Sequence, residues 1–338
     1  MKKKTRQLII KSVIGIVLFA VVAILVHNGG YYSMFALNAT LIYAMCALGV
    51  SVMLGMTGMM TFSSITFYGV GAYIMANLGT GRMGLQLNTG LALIIAPIGT
   101  ALIAGLVGMP LLRLRGNYFT FSTIALVQVA FCFFNNTPFF FGGYDGIPGI
   151  PTLNLFGWNV KGNETWFYVL VAAVILVVII IQRMRNSRLG RSMAAIRDNE
   201  TAALTLGIDV YRTRLITFMI SAAICGFGGA LYACFNRFVS ADCFTYMAGI
   251  PFIIMAMLGG INSSFGCVLG AILVGMLPEW LRVLESYMQL IYGIGVILLM
   301  IFMPMGLNGI LQSVKRKIKK SRNSAKGGIE SNGTDSAA

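Results

Sequence analysis

Charge is scarce in this sequence. Asp and Glu number 10 and Lys and Arg 25 in 338 residues, so charged side chains make up 10% of the chain, against roughly a quarter in a soluble domain. A water-soluble globule is excluded. His27 is the only histidine, and the six cysteines (Cys46, Cys132, Cys225, Cys234, Cys243 and Cys267) form no CxxC pair. That pattern argues against a disulfide framework or a zinc site. No GxxxxGK[ST] stretch is present, so the chain lacks the loop whose amides and Lys cradle the phosphates of ATP. The acidic residues Asp145, Glu164, Asp198, Glu200, Asp209, Asp242, Glu279, Glu285, Glu330 and Asp335 all map to loops, span ends or tails. A carboxylate relay deep in a membrane, the usual mark of a proton-coupled carrier, is therefore not indicated. Sodium held by backbone carbonyls of broken helices stays open.

What the chain has in quantity is apolar length. Hydrophobic residues make up 57% of it, and a bilayer span takes ~20 mostly apolar residues. Apolar runs lie at 8–26, 37–54, 66–78, 91–112, 118–134, 166–181, 215–235, 247–261, 265–281 and 287–303. The first follows Lys2, Lys3, Lys4 and Arg6, as a signal peptide would, but it is too long, and no small-residue cleavage site precedes Tyr31 and Tyr32. It reads as a transmembrane helix. The fold class expected is all-α, a polytopic membrane protein of eight to ten transmembrane helices. The third, eighth and ninth runs are short and carry Gly or Pro at their ends, so they could be broken or re-entrant.

Basic residues set the expected orientation, because Lys and Arg beside spans are retained in the cytoplasm. Twenty-one of the 25 fall in four places: before and within the start of the first run, at Arg113 and Arg115, between Arg183 and Arg214, and in the tail from Lys315. Ten spans from a cytoplasmic N-terminus put all four inside, and both termini with them. The transmembrane domain is then 1–312, with an inner loop at 183–214 and an outer loop at 135–165. The tail, 313–338, is a basic mixture expected to be disordered and held at anionic lipid. The net charge of +15 thus points to a membrane surface, not to nucleic acid.

The inner loop carries a pattern of its own. Leu189, Met193 and Ile196 follow helical spacing, Ala203 with Leu204 and Leu206 continue an apolar strip, and Arg191, Arg197 and Glu200 decorate the remainder. One or two short amphipathic helices are expected, joined near Asp198 and Asn199 and stopped at Gly207. An interfacial anchor would look similar. The stretch 201–207, with Ala202, Ala203 and Gly207, resembles the Glu-Ala-Ala-x-x-x-Gly signature of ABC importer permeases, except that Thr201 stands at the first position and Glu200 one place earlier.

The wider sequence resembles the branched-chain amino acid ABC transporter permeases, M-type subunit. The inner loop 189–208, including Gly190, Arg191, Ala194, Ile196 and Arg197, carries the resemblance first. Gly55, Thr57 and Gly58 with Gly69 and Gly71 form a second block, Gly142, Gly143, Asp145 and Gly146 a third, and Gly259, Gly260 and Gly266 a fourth. Where the family more often carries Ser-x-Gly, this chain has Thr61-Phe62-Ser63-Ser64. The resemblance implies a non-enzymatic, cofactor-free permease subunit in the bacterial inner membrane. Its implied partners are a second homologous permease, two ATP-binding subunits and an extracytoplasmic binding protein, with leucine, isoleucine and valine as cargo. The inner loop would then dock the ATPases, and Asp145 with its glycines would lie on the binding-protein side. Independently of family, glycines let helices approach closely, and the two clusters beside short runs suit broken helices lining a pathway. Two rivals stay open: a permease for another small solute and a stand-alone secondary carrier.

Overall fold

The computed structural model describes residues 31–280 apart from 83, 85, 86, 115, 156 and 157. The expected first and tenth spans, both termini and the tail lie outside the described residues. Each of the other eight apolar runs is a helix. These are α1 (Tyr31–Thr57), α2 (Ser64–Thr80), α3 (Thr89–Leu111), α4 (Asn117–Asn136), α6 (Asn163–Asn186), α9 (Val210–Asn236), α10 (Tyr246–Gly259) and α11 (Ser264–Trp280). Between them lie the short helices α5 (Pro138–Phe141), α7 (Arg188–Asp198) and α8 (Glu200–Thr205). Five of the eight, α1, α3, α4, α6 and α9, are long and apolar enough to cross a bilayer. At 17, 14 and 17 residues, α2, α10 and α11 are the short ones, and each is continuous.

Lipid tails are as apolar as leucine, so helices in a membrane associate through close packing more than through a hydrophobic force. Glycine provides that closeness here. A methyl group at Gly71 of α2 would run into the carbonyl of Gly226 of α9, and one at Gly229 into the carbonyl of Tyr68. Gly259 and Gly266 meet backbone to backbone between α10 and α11, and Gly55 meets the carbonyl of Ile261 in the same way. The centre of the bundle is α1, whose Leu41, Ile42, Met45 and Leu48 are fully buried. In contrast α3 and α4 leave Leu91, Ile98, Leu102, Leu106, Tyr118, Phe121 and Val129 exposed, as suits faces turned toward lipid or another protein.

The eight helices alternate in direction, and their connections gather at two ends. At one end Thr120 Oγ1 donates to Met60 O at 3.3 Å and Tyr211 OH to Met109 O at 3.0 Å, joining connections 58–63, 112–116 and 187–209. At the other, Ile147 pairs with Val239 and Pro148 with Phe238, strands β1 (Ile147–Pro148) and β4 (Phe238–Val239) being antiparallel. There Asn77 Nδ2 also donates to Phe140 O at 2.8 Å, and Asn38 Nδ2 to Asn163 O at 2.9 Å. A second two-residue pair, β2 (Asn154–Leu155) with β3 (Trp158–Asn159), closes a hairpin in the same connection. Among the described residues Arg113, Arg183, Arg185, Arg188, Arg191, Arg197, Arg212 and Arg214 lie at the first end, and Arg82, Lys161 and Arg237 at the second. The 24 residues of α6, about 36 Å at 1.5 Å per residue, separate the two sequence-expected loops, which therefore sit at opposite ends.

Candidate functional site

The segment 187–209 folds as a compact unit because three polar residues cap three successive helices. Ser187 Oγ accepts from Gly190 N at 3.2 Å, Asn199 Oδ1 from Ala202 N at 3.0 Å, and Asp209 Oδ1 from Arg212 N at 3.0 Å. Each satisfies an amide that a helix start would otherwise leave unpaired. The joint at Asp198 and Asn199 and the stop at Gly207, whose φ is +76°, fall where the sequence places them. Gly190 allows α7 to fold back on α6, since a methyl there would strike the carbonyl of Met184. Met193 is buried in the main core, while Ile196, Ala203 and Val210 form a separate small cluster that locks α7, α8 and the start of α9 together.

Two features of this segment depart from the sequence expectation. Leu204 and Leu206 do not continue the inward strip: they are 54% and 77% exposed, beside exposed Thr201, Ala202, Thr205 and Gly207. The reason is that α8 has six residues, under two turns, and Ala203 alone points into the small cluster. Arg197 is the second departure. Its Nη1 turns inward and donates to Gly55 O at 2.8 Å and to Asn262 Oδ1 at 2.8 Å, while Nε and Nη2 hold Asp198 Oδ1 at 3.2 and 3.0 Å. Arg185 Nη1 donates to the Asn262 carbonyl. Glu200 is clasped by Arg214 at 3.0 and 2.7 Å in a bidentate pair, which ties α8 to α9.

Arg191 and Ala194 remain on the outer side of α7, Arg191 exposed and Ala194 partly so. Beneath the α7–α8 joint lies a cavity of about 440 Å³, lined by Thr57, Gly58, Asn117, Asn199, Glu200 and Arg214 among others.

The glycine blocks separate into two places. Gly55, Thr57 and Gly58 close α1 beside Arg197, and Gly259, Gly260 and Gly266 form the α10–α11 turn that carries Asn262, Gly260 adopting φ +97°. These six residues and the inner segment meet at one end of the bundle. Gly69 and Gly71 stand apart, Gly69 against Phe134 and Phe244, Gly71 against Gly226. The hydroxyl of Thr57 is returned to Met53 O at 2.6 Å within its own helix, and Ser263 Oγ accepts from Gly266 N at 3.1 Å.

At the opposite end Gly142, Gly143 and Gly146 all have positive φ, 78°, 63° and 68°. Gly146 lies so close to Val239 O, within 2.5 Å of an added Cβ, that the loop can lie flat against β4. Asp145 is exposed next to Tyr144. Asn262 and Arg185 were not marked by sequence reasoning. The signal available was a lone amide side chain in a glycine-rich turn between two short apolar runs.

An alternating bundle of apolar helices, with arginines massed at one end and a self-packed helical segment among them, has the architecture of a multi-pass membrane protein. Residues 32–303 match the family described as branched-chain amino acid transport system / permease component, and the chain belongs to it. The permease protein LivM of the high-affinity branched-chain amino acid transport system of Escherichia coli strain K12 is 32% identical over 311 residues, covering 85% of this chain and 72% of the relative. LivM of Salmonella typhimurium matches with the same identity and coverage. LivH of the same Escherichia coli system is 26% identical over 291 residues, or 79% of this chain and 91% of the relative. No solved structure matches. With its apolar helices, this membership makes the chain a multi-pass protein of the inner membrane and the membrane subunit of a transporter.

Proposed function

We propose that this chain is one of two permease subunits of an ATP-driven importer of leucine, isoleucine and valine, and that it hydrolyses no ATP itself. The observation that carries the reading is the segment 187–209: a capped, self-packed pair of helices that holds its own small core and still exposes Leu204 and Leu206. Large apolar side chains displayed on a rigid element, ringed by charge, fit a protein partner. Gly190, Arg191, Ala194, Ile196, Arg197, Glu200, Ala202, Ala203 and Gly207 build that docking face or hold its shape. The partner there is an ATP-binding subunit, one for each of the two permeases.

The similarity of the chain to both LivM and LivH supports a pair of related permeases in one complex. Gly55, Thr57, Gly58, Gly69, Gly71, Gly259, Gly260 and Gly266 set the helix seams along which the cargo pathway opens. Gly142, Gly143, Asp145 and Gly146 face the binding protein that delivers the amino acid. The arginine end is cytoplasmic.

Copurification with the tagged chain, followed by uptake in vesicles, tests the proposal. Two ATP-binding subunits should accompany it, and uptake of labelled leucine should need ATP together with the binding protein. Uptake by the isolated chain under an ion gradient would overturn it.

A further inference from the structure

Arg197 lies on an exposed helix, where an arginine has no need of protein partners, yet its guanidinium is turned into the bundle. It meets the last turn of α1 at Gly55 and the α10–α11 turn at Asn262. Asn262 is held a second time, through its carbonyl, by Arg185 at the end of α6. Gly58, at φ +73°, makes room for the arginine stem, since an added Cβ would lie 3.0 Å from Arg197 Cγ. A single guanidinium therefore joins α7, the end of α1 and the tip of the α10–α11 hairpin. Helix C-terminal carbonyls carry partial negative charge, which strengthens the bond to Gly55, and the planar fork fixes the angle between the two acceptors. Arg197 also lines, with Asp198, Glu200, Thr57 and Asn117, the cavity of about 440 Å³ between the α7–α8 joint and the adjoining ends of α1 and α4.

We propose that Arg197 and Asn262 are the transmission link of the permease, passing displacement of segment 187–209 to α1 and to the α10–α11 hairpin. The inference rests on the reading of that segment as the ATPase-docking element. Both are positioning residues, and neither touches cargo. The hairpin is the element best suited to respond. Its helices are short, and they meet backbone to backbone at Gly259, Gly266 and Gly270.

The test uses the complete complex in proteoliposomes, with ATP hydrolysis and binding-protein-dependent leucine uptake measured side by side. The variants are Arg197→Ala, Asn262→Ala, Asn262→Asp and the double alanine variant. Asn262→Ala, which lies outside the docking segment, should keep its ATPase subunits and hydrolysis within about twofold while uptake falls by about tenfold or more, and uptake in Arg197→Ala should fall at least as far. Asn262→Asp keeps the Oδ1 acceptor and should retain uptake within about twofold, and the double variant should be no worse than Arg197→Ala. Uptake unchanged in the alanine variants, hydrolysis and uptake falling in proportion in Asn262→Ala, or Asn262→Asp failing as Asn262→Ala does would each overturn the link. If Arg197→Ala fails to assemble, the Asn262 pair decides. A wild-type preparation that brings down no ATP-binding subunit would overturn the docking reading and the link with it.

Discussion

The guanidinium of Arg197 and the carbonyl of Gly55 are 142 residues apart in sequence and 2.8 Å apart in space. This bond places the arginine of the inner segment against the first glycine block, and Asn262 brings in the last block by the same group. The inner loop, the Gly55, Thr57 and Gly58 part of the first glycine block and the last block thus meet at one end of the bundle, apart from Gly69 and Gly71.

Leu204→Asp and Leu206→Asp should leave the permease folded, because exposed substitutions usually change stability by within about 0.5 kcal/mol. They should nonetheless abolish copurification of the ATP-binding subunits. Size-exclusion profiles of the tagged chain, followed by counting the bound subunits, check both halves of this expectation.

Ala203→Leu should act in the opposite manner. Ala203 fills the small cluster with Ile196 and Val210, and overpacking such a site costs about 1–3 kcal/mol. The segment should become sensitive to protease between α7 and α9 while the remaining helices stay protected, as limited proteolysis and mass spectrometry would show.

Glu200→Ala should leave Arg214, whose side chain is 14% exposed, without its bidentate partner. A hydrogen bond to a charged group is worth about 1.5–3 kcal/mol, so amides of α8 should exchange faster with deuterium. Glu200→Gln, which keeps one acceptor, should lie between. Equal exchange in all three proteins would contradict a holding role for this pair.

Gly71→Ala and Gly149→Ala separate two reasons for glycine. At Gly71 a methyl meets backbone of α9, whereas at Gly149 nothing lies within 4 Å and the only obstacle is φ of +75°. The first should lower thermal stability by about 2 kcal/mol or more, the second by about 1 kcal/mol from left-handed strain. Unfolding in detergent, followed by heating, ranks them.

Orientation is open to direct chemistry. Tyr144→Cys should react with an impermeant maleimide in spheroplasts, and Arg191→Cys only in inverted vesicles, each measured against the parent protein. The opposite pattern would reverse the assigned topology.

The helices were legible because each apolar run, long or short, is closed by glycine, a polar residue or charge. Among the described residues α1 runs from Tyr31, six residues ahead of the apolar run, and Tyr, Ser and Phe there each cost only roughly a few tenths of a kcal/mol in a helix relative to leucine. The α7–α8 joint was legible because Asn199 is a capping residue in a helical pattern. Leu204 and Leu206 were misread because period carries no information over six residues. Helical spacing sets Arg197 on the polar side of α7, where its side chain is 35% exposed, and says nothing of what it bonds. Its acceptors lie in turns far away along the chain, and tertiary packing alone reveals them.

The two rims of the bundle are fastened by different balances of the same chemistry. Around Ile147 and Val239 the backbone pairing of neutral groups is joined by Arg82 on Pro138 O and Arg237 on Ile150 O, while around Arg197, Arg185 and Arg214 guanidinium groups on carbonyls and a carboxylate stand beside neutral bonds from Thr120 and Tyr211. Ionic strength screens exposed charges and leaves neutral amide pairs largely untouched. Rising salt, or headgroup phosphates competing for exposed arginines, therefore loosens the guanidinium fastenings before the backbone pairs, and acts more on the rim where arginines are massed, so the surrounding leaflet becomes a setting on how firmly that rim is held.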